Sequence, residues 1–297
     1  LLPMKILLTG VNGQIGFYLN QRLSPFYDIF GATRESFDLT NIEQMENVID
    51  EFRPELIINP AAYTYVDKAE KEPELVFKAN TVAAKFLAEK SEKLSIPLIQ
   101  LSTDYIFDGQ KEGAYTEIDK ANPQSVYGQS KYEAETAIKE SNPKHIILRT
   151  SWVYSLRGKN FLTTILGMAK NKETFDIVLD QIGSPTSATF IANTILAITK
   201  KIDQIDKNNL YGIYNLTCSG STSWFEFAKA IIFYAQEKGL SLKSTPESIK
   251  PVKTSDFATL ASRPKNSTLN NHKLEKTFEI NCPEWQNELK LIMSDKV

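Results

Sequence analysis

The N-terminal stretch Lys5-Ile6-Leu7-Leu8-Thr9-Gly10-Val11-Asn12-Gly13-Gln14-Ile15-Gly16 decides the predicted fold. It begins with a continuous apolar run, which is typical of a strand buried on both faces. Three glycines follow at intervals of three residues, and a helical pattern then continues to Leu23. A glycine turn between a strand and a helix lets a pyrophosphate approach the backbone, where the helix N–H groups and dipole attract it. The stretch therefore predicts a dinucleotide-binding unit.

The residues that follow repeat this alternation of strands and helices. Strands are predicted at Tyr27–Thr33, Leu56–Asn59, Leu98–Ser102 and Ile146–Thr150, and helices at Ile42–Phe52, in a long pattern ending near Leu94, and from Gln124 to about Ser141. Thr40 and Glu43 have the spacing of a capping box at the start of the second helix. Short apolar strands separated by amphipathic helices predict right-handed βαβ units, and hence a doubly wound parallel sheet of the Rossmann type.

The pattern loosens after Ser151 and becomes α+β in character. Helices are predicted at Phe161–Lys170, Phe190–Lys201, Trp224–Lys238 and Glu284–Met293, and short strands near Phe175–Leu179 and Ile213–Leu216. We expect residues 1–150 to form an NAD(P)-binding domain and residues 151–297 to form mainly a smaller α+β substrate-binding domain. Part of residues 172–217 is expected to return to the first domain.

Composition argues against two classes of partner. Lysine and arginine total 34 against 36 acidic residues, a net charge of −2, so no basic surface for nucleic acid or membrane is expected. No apolar run approaches the roughly 20 residues of a membrane helix, and the N-terminal run is too short for a signal peptide. We therefore expect a protein that works in the cytoplasm.

Cysteine and histidine are too sparse for several kinds of site. Cys218 and Cys282 have no pair spacing, which argues against a disulfide framework and a zinc site and fits a reducing compartment. His145 and His272 are the only histidines and lie far apart in the sequence, which argues against a histidine-based triad.

Two tyrosine–lysine pairs have the i, i+4 spacing that places both side chains on one helix face, Tyr127 with Lys131 and Tyr234 with Lys238. A neighbouring ammonium favours phenolate, which brings a phenol into the range of proton transfer to a carbonyl that receives hydride from a nicotinamide. Only Tyr127 follows a strand end that offers a hydroxyl, in Leu101–Asp104. We therefore predict that Tyr127 is the general acid and that Tyr234 packs in the core.

The end of the second predicted strand indicates which nicotinamide is preferred. It reads Ala32-Thr33-Arg34 and lacks the carboxylate that binds the adenosine ribose of NAD. Arg34 is suited to the 2′-phosphate of NADP, and the alternative is a solvated loop arginine. We expect a preference for NADPH, with NADH also accepted.

Six segments resemble the dTDP-4-dehydrorhamnose reductase family and follow its order along the chain. They are Asn59–Glu70, Leu101–Gly109, Tyr127–Lys131, Arg149–Tyr154, Asp180–Thr186 and Arg263–Ser267. The glycine spacing is also similar to that of extended short-chain dehydrogenases, the superfamily to which this family belongs. The resemblance runs from Gly10 to Ser267 and implies reduction of the C4 keto group of dTDP-4-dehydro-L-rhamnose to dTDP-L-rhamnose, a precursor for polysaccharides.

The resemblance also implies roles for individual residues. Tyr127 would be the proton donor, Lys131 its partner and a donor to the nicotinamide ribose, and Thr103 a group that tunes the carbonyl. The residues expected at the cofactor include the glycine turn and Arg34 described above. The full set is Gly10, Gly13, Gln14, Ile15, Gly16, Arg34, Asp38, Leu39, Ala61, Ala62, Tyr63 and Thr64. For Asp38, an aspartate at a helix entry is the alternative.

The substrate side is assigned by the same resemblance. Asp104 would contact the sugar beside Thr103, Trp152 would pack against the deoxysugar ring, and Arg263 would bind the nucleotide diphosphate. The alternatives are a core aromatic for Trp152 and a salt-bridged surface residue for Arg263.

One departure from the family concerns a metal. Some members bind Mg²⁺ between subunits through glutamates, but the matching positions hold Tyr18 and Thr189. We therefore predict no metal and a monomer or homodimer.

Two alternative functions remain open at this point. One is a nucleotide-sugar epimerase or 4,6-dehydratase; the related dehydratases carry Thr-Asp-Glu where this chain has Thr103-Asp104-Tyr105, which favours reduction. The other is a non-catalytic regulatory subunit that resembles the β subunit of methionine adenosyltransferase.

Overall fold

The computed structural model describes residues 2–204, 209–257 and 259–294. The strands are β1 (Lys5–Leu8), β2 (Asp28–Gly31), β3 (Leu56–Asn59), β4 (Leu98–Thr103), β5 (His145–Thr150), β6 (Val153–Tyr154), β7 (Asp176–Val178), β8 (Ile182–Gly183), β9 (Thr186–Ser187), β10 (Gly212–Asn215), β11 (Thr222–Ser223) and β12 (Lys250–Val252). The helices are α1 (Gln14–Leu23), α2 (Ile42–Phe52), α3 (Val66–Ala69), α4 (Pro73–Phe77), α5 (Ala83–Lys93), α6 (Val126–Ser141), α7 (Phe161–Asn171), α8 (Ala188–Gln204), α9 (Trp224–Glu237), α10 (His272–Phe278) and α11 (Trp285–Ser294). A π-helical turn (Lys78–Val82) joins α4 to α5.

A parallel sheet forms the centre of the described residues. Its six strands lie in the order β2-β1-β3-β4-β5-β10, and every neighbouring pair runs parallel. The register places Thr103 at the end of β4 opposite Thr150 at the end of β5. The doubly wound Rossmann-type sheet predicted from the sequence is confirmed, and its carboxyl edge is where such sheets bind ligands.

The apolar residues of β1 contribute to two hydrophobic cores, because successive side chains of a strand point to opposite faces of the sheet. Ile6 and Leu8 belong to the core shared with α1, α8 and the second half of the chain, whereas Leu7 belongs to the core under α2, α5 and α6. All three side chains are fully buried, which explains why the strand reads as a continuous apolar run.

The second half of the chain is built from short pieces. β10 leaves it and joins the central sheet beside β5. The other strands pair in twos: β6 with β9, β7 with β12 and β8 with β11. Helices α7, α9 and α11 pack together above these pairs and complete the first core.

Two local expectations were wrong, and one helix was not predicted. The helix α2 begins after Asn41, whose side chain accepts a hydrogen bond from the Gln44 N–H, so Thr40 and Glu43 form no capping box there. The second strand ends at Gly31, two residues earlier than predicted. The helix α10, which lies in a polar stretch, was not predicted from the sequence. Across the described ranges, none of the helices has the length and apolar character of a membrane span.

Candidate active site

The glycine turn between β1 and α1 is tightly packed against the rest of the sheet edge. Gly10 has a φ of 61°, and a Cβ there would lie 2.9 Å from the Cβ of Ala61. A Cβ on Gly16 would lie 2.0 Å from the Gly10 carbonyl oxygen, so neither position tolerates a side chain. Gly13 precedes α1 and has no side chain to cap the first helical N–H groups. The turn thus fits a pyrophosphate, whose oxygens can accept hydrogen bonds from those N–H groups.

The next two residues anchor the start of α1. Gln14 accepts a hydrogen bond through its Oε1 from the Ser155 hydroxyl at 2.9 Å. Ile15 is partly buried against the first core. The segment after β6 therefore closes one side of the glycine turn.

The segment after β2 lies beside the turn, since the Val11 N–H donates to the Ala32 carbonyl at 3.1 Å. Arg34 is exposed. Asp38 accepts two hydrogen bonds at 2.8 Å from the backbone N–H and hydroxyl of Thr40. Burial acts to raise the pKa of Asp38, but these bonds and the Arg34 charge outweigh it and lower that pKa. Leu39 packs against the second core.

The loop after β3 is fixed by one side chain in the π-helical turn. Asn80 accepts from the Tyr63 N–H at 2.7 Å, donates to the Tyr63 carbonyl at 3.1 Å and donates to the Ser130 hydroxyl at 3.0 Å. Ala61, Ala62 and Thr64 flank Tyr63 on this loop. Asn80 therefore connects the predicted cofactor residues after β3 to α6, and π-helical turns often occur at functional sites.

Tyr127 lies at the start of α6, close to the end of β4. A Cβ on Gly128 would lie 2.3 Å from the Tyr105 carbonyl oxygen, so a glycine is required for the helix to approach this closely. Burial, together with the nearby Asp104 charge, raises the pKa of Tyr127 to about 12, although a hydrogen bond with Thr103 lowers it in part. The phenol therefore keeps its proton at neutral pH, as a general acid requires.

Lys131 is buried, with 4% of its surface exposed, and its Nζ donates to the Leu101 carbonyl at 2.7 Å. Burial lowers its pKa to about 8, against the opposing effect of the Glu135 carboxylate. We expected this ammonium to lower the pKa of Tyr127, and that expectation was wrong. The ammonium is bonded to the β4 backbone, and desolvation dominates the pKa of the phenol.

Thr103 and Asp104 end β4 beside Tyr127. The Thr103 hydroxyl donates to Asp104 Oδ1 at 3.0 Å and accepts from the Tyr105 N–H at 3.2 Å. Asp104 is 3% exposed, and burial raises its pKa to about 7. Among the described residues, no hydrogen bond of ordinary length reaches its buried Oδ2 atom, although the nearby Ser267 side chain lowers the pKa of this carboxyl in part. A buried carboxylate oxygen without a protein partner fits a group that a ligand satisfies.

Trp152 follows β5, two residues beyond Thr150 and hence near the reacting end of the sheet. Its φ is 49°, and its ring stacks on Trp224 with centroids 3.4 Å apart and planes 5° apart. A Cβ on Gly183 would lie 2.4 Å from the Trp152 ring, so a glycine is needed at its edge.

Arg263 is held by an ion pair. Its two terminal nitrogens donate to the two carboxylate oxygens of Asp67, at 3.1 and 2.6 Å. The backbone N–H groups of Leu260 and Ala261 donate to the same carboxylate, each at 3.1 Å. The salt-bridged state that the sequence left as an alternative is present in the structure. A role for Arg263 at the diphosphate stays a prediction.

The second tyrosine–lysine pair lies elsewhere. Tyr234 is partly buried in α9 and contacts Phe233 edge-on at 5.3 Å, and Lys238 is exposed after the last helical residue. Among the described elements, α9 packs mainly on α7, α11, β7 and β11, none of which belongs to the central sheet, so this pair lacks the surroundings of Tyr127 and Lys131.

A buried ion pair next to Lys131 was missed by the sequence reasoning. The Arg149 guanidinium binds both carboxylate oxygens of Glu135, with Nη2 to Oε2 at 2.7 Å, and the Ser102 hydroxyl donates to Oε1 at 2.6 Å. Glu135 lies one helical turn after Lys131, so the pair links α6 to β4 and β5. An arginine inside the apolar run of β5 is a usable signal, because a buried arginine requires a partner.

A chain of polar side chains crossing the sheet was also missed. Thr9 donates to Asn59 at 2.6 Å, and Asn59 donates to Gln100 at 2.8 Å, all three being buried. Each residue interrupts or ends an apolar strand, which is a visible signal, but their mutual contact depends on strand order.

The positions of Tyr18 and Thr189 lie on α1 and α8, which pack against each other. Within the part of the chain that the structure describes, no three histidine, cysteine, aspartate or glutamate side chains converge as ligands of a metal ion would.

Comparisons with known proteins place this chain in a family. The family described as "RmlD substrate binding domain" matches residues 4–297. A dTDP-4-dehydrorhamnose reductase from Sinorhizobium fredii (strain NBRC 101917 / NGR234) is 39% identical over 291 residues, covering 98% of this chain and 97% of that protein.

Two crystal structures agree with this match. A dTDP-4-dehydrorhamnose reductase from Bacillus anthracis str. Ames in complex with NADP has a TM-score of 0.91 at 37% identity and covers 99% of this chain and 100% of its own. A dTDP-4-dehydrorhamnose reductase from Clostridium acetobutylicum ATCC 824 has a TM-score of 0.89 at 36% identity, with 98% of each chain covered. The resemblance found in the sequence is confirmed, and the chain belongs to the dTDP-4-dehydrorhamnose reductase family.

Proposed function

We propose that this protein reduces the C4 keto group of dTDP-4-dehydro-L-rhamnose to dTDP-L-rhamnose with NADPH, and that NADH also serves. The observation that carries the proposal is the convergence of Tyr127, Lys131 and Thr103 at the carboxyl end of β4. The glycine turn lies on the same edge of the sheet, after β1. A proton donor, a cation and a dinucleotide loop on one sheet edge are what carbonyl reduction by a nicotinamide requires.

The protein side of the reaction follows from the site. When bound, the reduced nicotinamide supplies a hydride to the carbonyl carbon. Tyr127, whose pKa is raised to about 12, gives its proton to the carbonyl oxygen. The Thr103 hydroxyl, which donates to Asp104 Oδ1 in the structure, would turn its one hydrogen to that oxygen when substrate is bound. Lys131, still charged below its pKa of about 8, would donate to the nicotinamide ribose while its bond to the Leu101 carbonyl holds it in place.

The cofactor would be held by the glycine turn, the loop after β3 and Arg34. The Gly10–Gly16 turn leaves room for a pyrophosphate, and the loop after β3 is held beside it by Asn80. The relative from Bacillus anthracis is in complex with NADP, which supports the choice of nicotinamide. Arg34 is exposed next to this turn and is suited to the 2′-phosphate.

The preference for NADPH has its own test. Arg34→Ala should weaken NADPH binding by roughly 1.5–3 kcal/mol and NADH binding by much less, since one hydrogen bond to a charged group is lost. Arg53→Ala, an exposed arginine at the end of α2, is the matched control for the loss of charge. Equal losses for both nicotinamides in Arg34→Ala would leave Arg34 as a solvated loop residue.

Simple reduction is favoured over dehydration. The residue after Asp104 is Tyr105, whose ring packs edge-on against Tyr127 with centroids 5.6 Å apart. The dehydratases that the sequence resembles less closely carry a glutamate at that position for water elimination. No carboxylate stands there in this chain, which supports a reductase.

The sugar nucleotide would lie between the two halves of the chain. We propose that residues 1–150 with β10 bind the cofactor and that residues 151–297 mainly hold the substrate. Asp104, with its unpartnered Oδ2, would accept a sugar hydroxyl, Trp152 would pack on the deoxysugar, and Arg263 would exchange Asp67 for the diphosphate. We further propose that the protein acts in the cytoplasm, as a monomer or homodimer, without nucleic acid.

A panel assay tests the function. The purified protein is given nucleotide 4-keto-sugars that differ in base and sugar, with each reduced nicotinamide, and nicotinamide oxidation and products are measured. We expect the highest kcat/KM with dTDP-4-dehydro-L-rhamnose and NADPH. If none of the nucleotide 4-keto-sugars is turned over and the protein binds a synthetase stably, it would instead be a regulatory subunit.

A further inference from the structure

The stacked pair of Trp152 and Trp224 is the most closely packed aromatic contact among the described residues. The two indole planes are parallel within 5°, with ring centroids 3.4 Å apart. Trp152 lies beyond the end of β5, whose Thr150 pairs with Thr103 of the reaction site. Trp224 is the first residue of α9, far along the sequence, so the stack joins α9 to the site.

Trp224 is fixed from behind by a chain of hydrogen bonds. Its Nε1 donates to Gln181 Oε1 at 3.2 Å, and Gln181 Nε2 donates to the Thr254 hydroxyl at 3.1 Å. That hydroxyl donates to Asp180 Oδ1 at 2.6 Å. Gln181 is buried, so turning the Trp224 ring would leave a buried amide oxygen without its donor, which is costly.

The remaining sides of the stack are packed as well. Phe161 contacts Trp224 with centroids 4.4 Å apart. Gly183 lies against the edge of Trp152, where a Cβ would come within 2.4 Å of the ring. Trp152 adopts a φ of 49°, a conformation that persists in a non-glycine residue only when its surroundings enforce it.

We propose that Trp224 is a positioning residue for substrate: it fixes the plane of Trp152, and the stacked pair forms a rigid apolar wall that selects a 6-deoxy sugar. Trp224 covers one face of Trp152, which is only partly buried, so a sugar would meet the remaining ring carbons of Trp152. The indole N–H of Trp224 is already used by Gln181. A methyl group at C6 loses nothing against such a surface, whereas a hydroxymethyl group loses hydrogen bonds to water without replacement. This inference rests on the proposed function and adds the residue that determines its sugar specificity.

The chain contains three tryptophans, which makes the test selective. Trp285 is buried and meets Phe227 edge-on at 5.9 Å, away from the stack, so Trp285→Phe is the matched control. Circular dichroism should show an exciton couplet from the parallel indoles. We expect Trp224→Phe and Trp152→Phe to abolish that couplet and Trp285→Phe to retain it.

Kinetics then separates positioning from folding. In Trp224→Leu, KM for the nucleotide sugar should rise roughly tenfold while kcat and the Kd of NADPH stay within about threefold, because one aromatic stacking contact is lost. Trp224→Phe, which keeps a stacking ring, should recover most of the affinity. The ratio of kcat/KM for a 6-deoxy over a 6-hydroxy nucleotide 4-keto-sugar should fall in Trp224→Leu alone.

The outcomes distinguish the two proposals. An unchanged KM and an unchanged sugar preference in Trp224→Leu, with normal turnover by the unaltered protein, would overturn this inference and leave the proposed function intact. A couplet that survives in Trp224→Phe would also overturn it. Absence of turnover by the unaltered protein with every nucleotide sugar would overturn the proposed function, and this inference with it.

Discussion

Two tyrosine–lysine pairs with the same spacing lie in very different surroundings. Tyr127 and Lys131 open a helix that approaches the carboxyl end of β4, where the lysine is buried and bonded to the Leu101 carbonyl. Tyr234 and Lys238 lie at the end of α9, which packs on α7 and α11, and the lysine is exposed. The difference teaches that the spacing alone provides two groups on one face. We therefore expect a catalytic role only for the pair that lies at the ends of the parallel strands.

The largest expected effect is that of Tyr127→Phe. The substitution removes one oxygen and keeps the ring that packs against Tyr105, so folding and cofactor binding should be preserved. Turnover should fall by roughly 10²–10⁴, the usual contribution of general acid catalysis, as measured by nicotinamide oxidation. Tyr234→Phe is the control and should retain nearly full turnover. Equal losses in both variants would break the contrast between the pairs.

Lys131→Ala should have the next largest effect. Turnover should fall roughly 10²-fold and NADPH should bind more weakly, because the buried cation that would hold the nicotinamide ribose is lost. In the unaltered protein, NADPH affinity should decrease as the pH rises through about 8, where burial lets Lys131 lose its proton. Titration of NADPH binding by fluorescence at several pH values measures both. Lys238→Ala should reproduce the unaltered curve, and a pH dependence that persists in Lys131→Ala would assign it to another group.

Asp104→Asn tests the burial of the site near Tyr127 through the pH dependence of the free energy of unfolding. Burial raises the pKa of Asp104 to about 7 in the folded state, above the unfolded value near 3.9. Its contribution to stability is therefore fully present below about pH 4 and is lost as the pH rises through about 7. The Asp104→Asn variant carries no charge at position 104. At pH 8 its free energy of unfolding, measured by urea denaturation, should therefore exceed that of the unaltered protein by roughly 1–4 kcal/mol.

Asp108→Asn is the control with the opposite sign. Hydrogen bonds from the Gln110 N–H and the Asn122 side chain lower the pKa of Asp108, so its charge stabilises the fold above the unfolded pKa. This variant should be less stable at pH 8. A destabilised Asp104→Asn at that pH would contradict the burial argument.

The smallest effect is expected for Thr103→Val. The hydroxyl would turn its one hydrogen from Asp104 Oδ1 to the reacting carbonyl but is not the proton source, so turnover should fall only roughly 2–10-fold. Thr103→Ser keeps the hydroxyl and should restore it. Steady-state assays of the two variants measure the difference, and a loss as large as that of Tyr127→Phe would mean that the proton comes through Thr103.

The first half of the fold was predictable because its signals are local. The residues of β1 are buried on both faces and therefore read as one apolar run before a glycine turn. In the second half, β6 and β9 are two residues long and exist only because Val153 pairs with Thr186. Such strands have no periodicity to read, and their boundaries depend on contacts between distant residues.

The proximity of the candidate site residues was predictable, but their hydrogen bonds were not. Motif order predicted that Tyr127, Lys131 and Thr103 lie near one sheet edge, and the structure brings them together there, while their roles stay predictions. The direction of the Lys131 ammonium depends on a carbonyl of a neighbouring strand, and the pKa of Tyr127 depends on how deeply the phenol lies. The ion pair of Asp67 with Arg263 joins residues almost two hundred positions apart, which spacing cannot reveal.

The central claim is that hydride reduction at C4 occurs at the Tyr127 pair. It is tested most directly by a single-turnover reaction with NADPH deuterated at the transferable position and dTDP-4-dehydro-L-rhamnose, with mass spectrometry of the product. The account predicts dTDP-L-rhamnose carrying one deuterium at C4, formed rapidly by the unaltered protein and by Tyr234→Phe, and roughly 10²–10⁴ times more slowly by Tyr127→Phe. Deuterated product formed by Tyr127→Phe at the unaltered rate would contradict it, as would product without deuterium at C4.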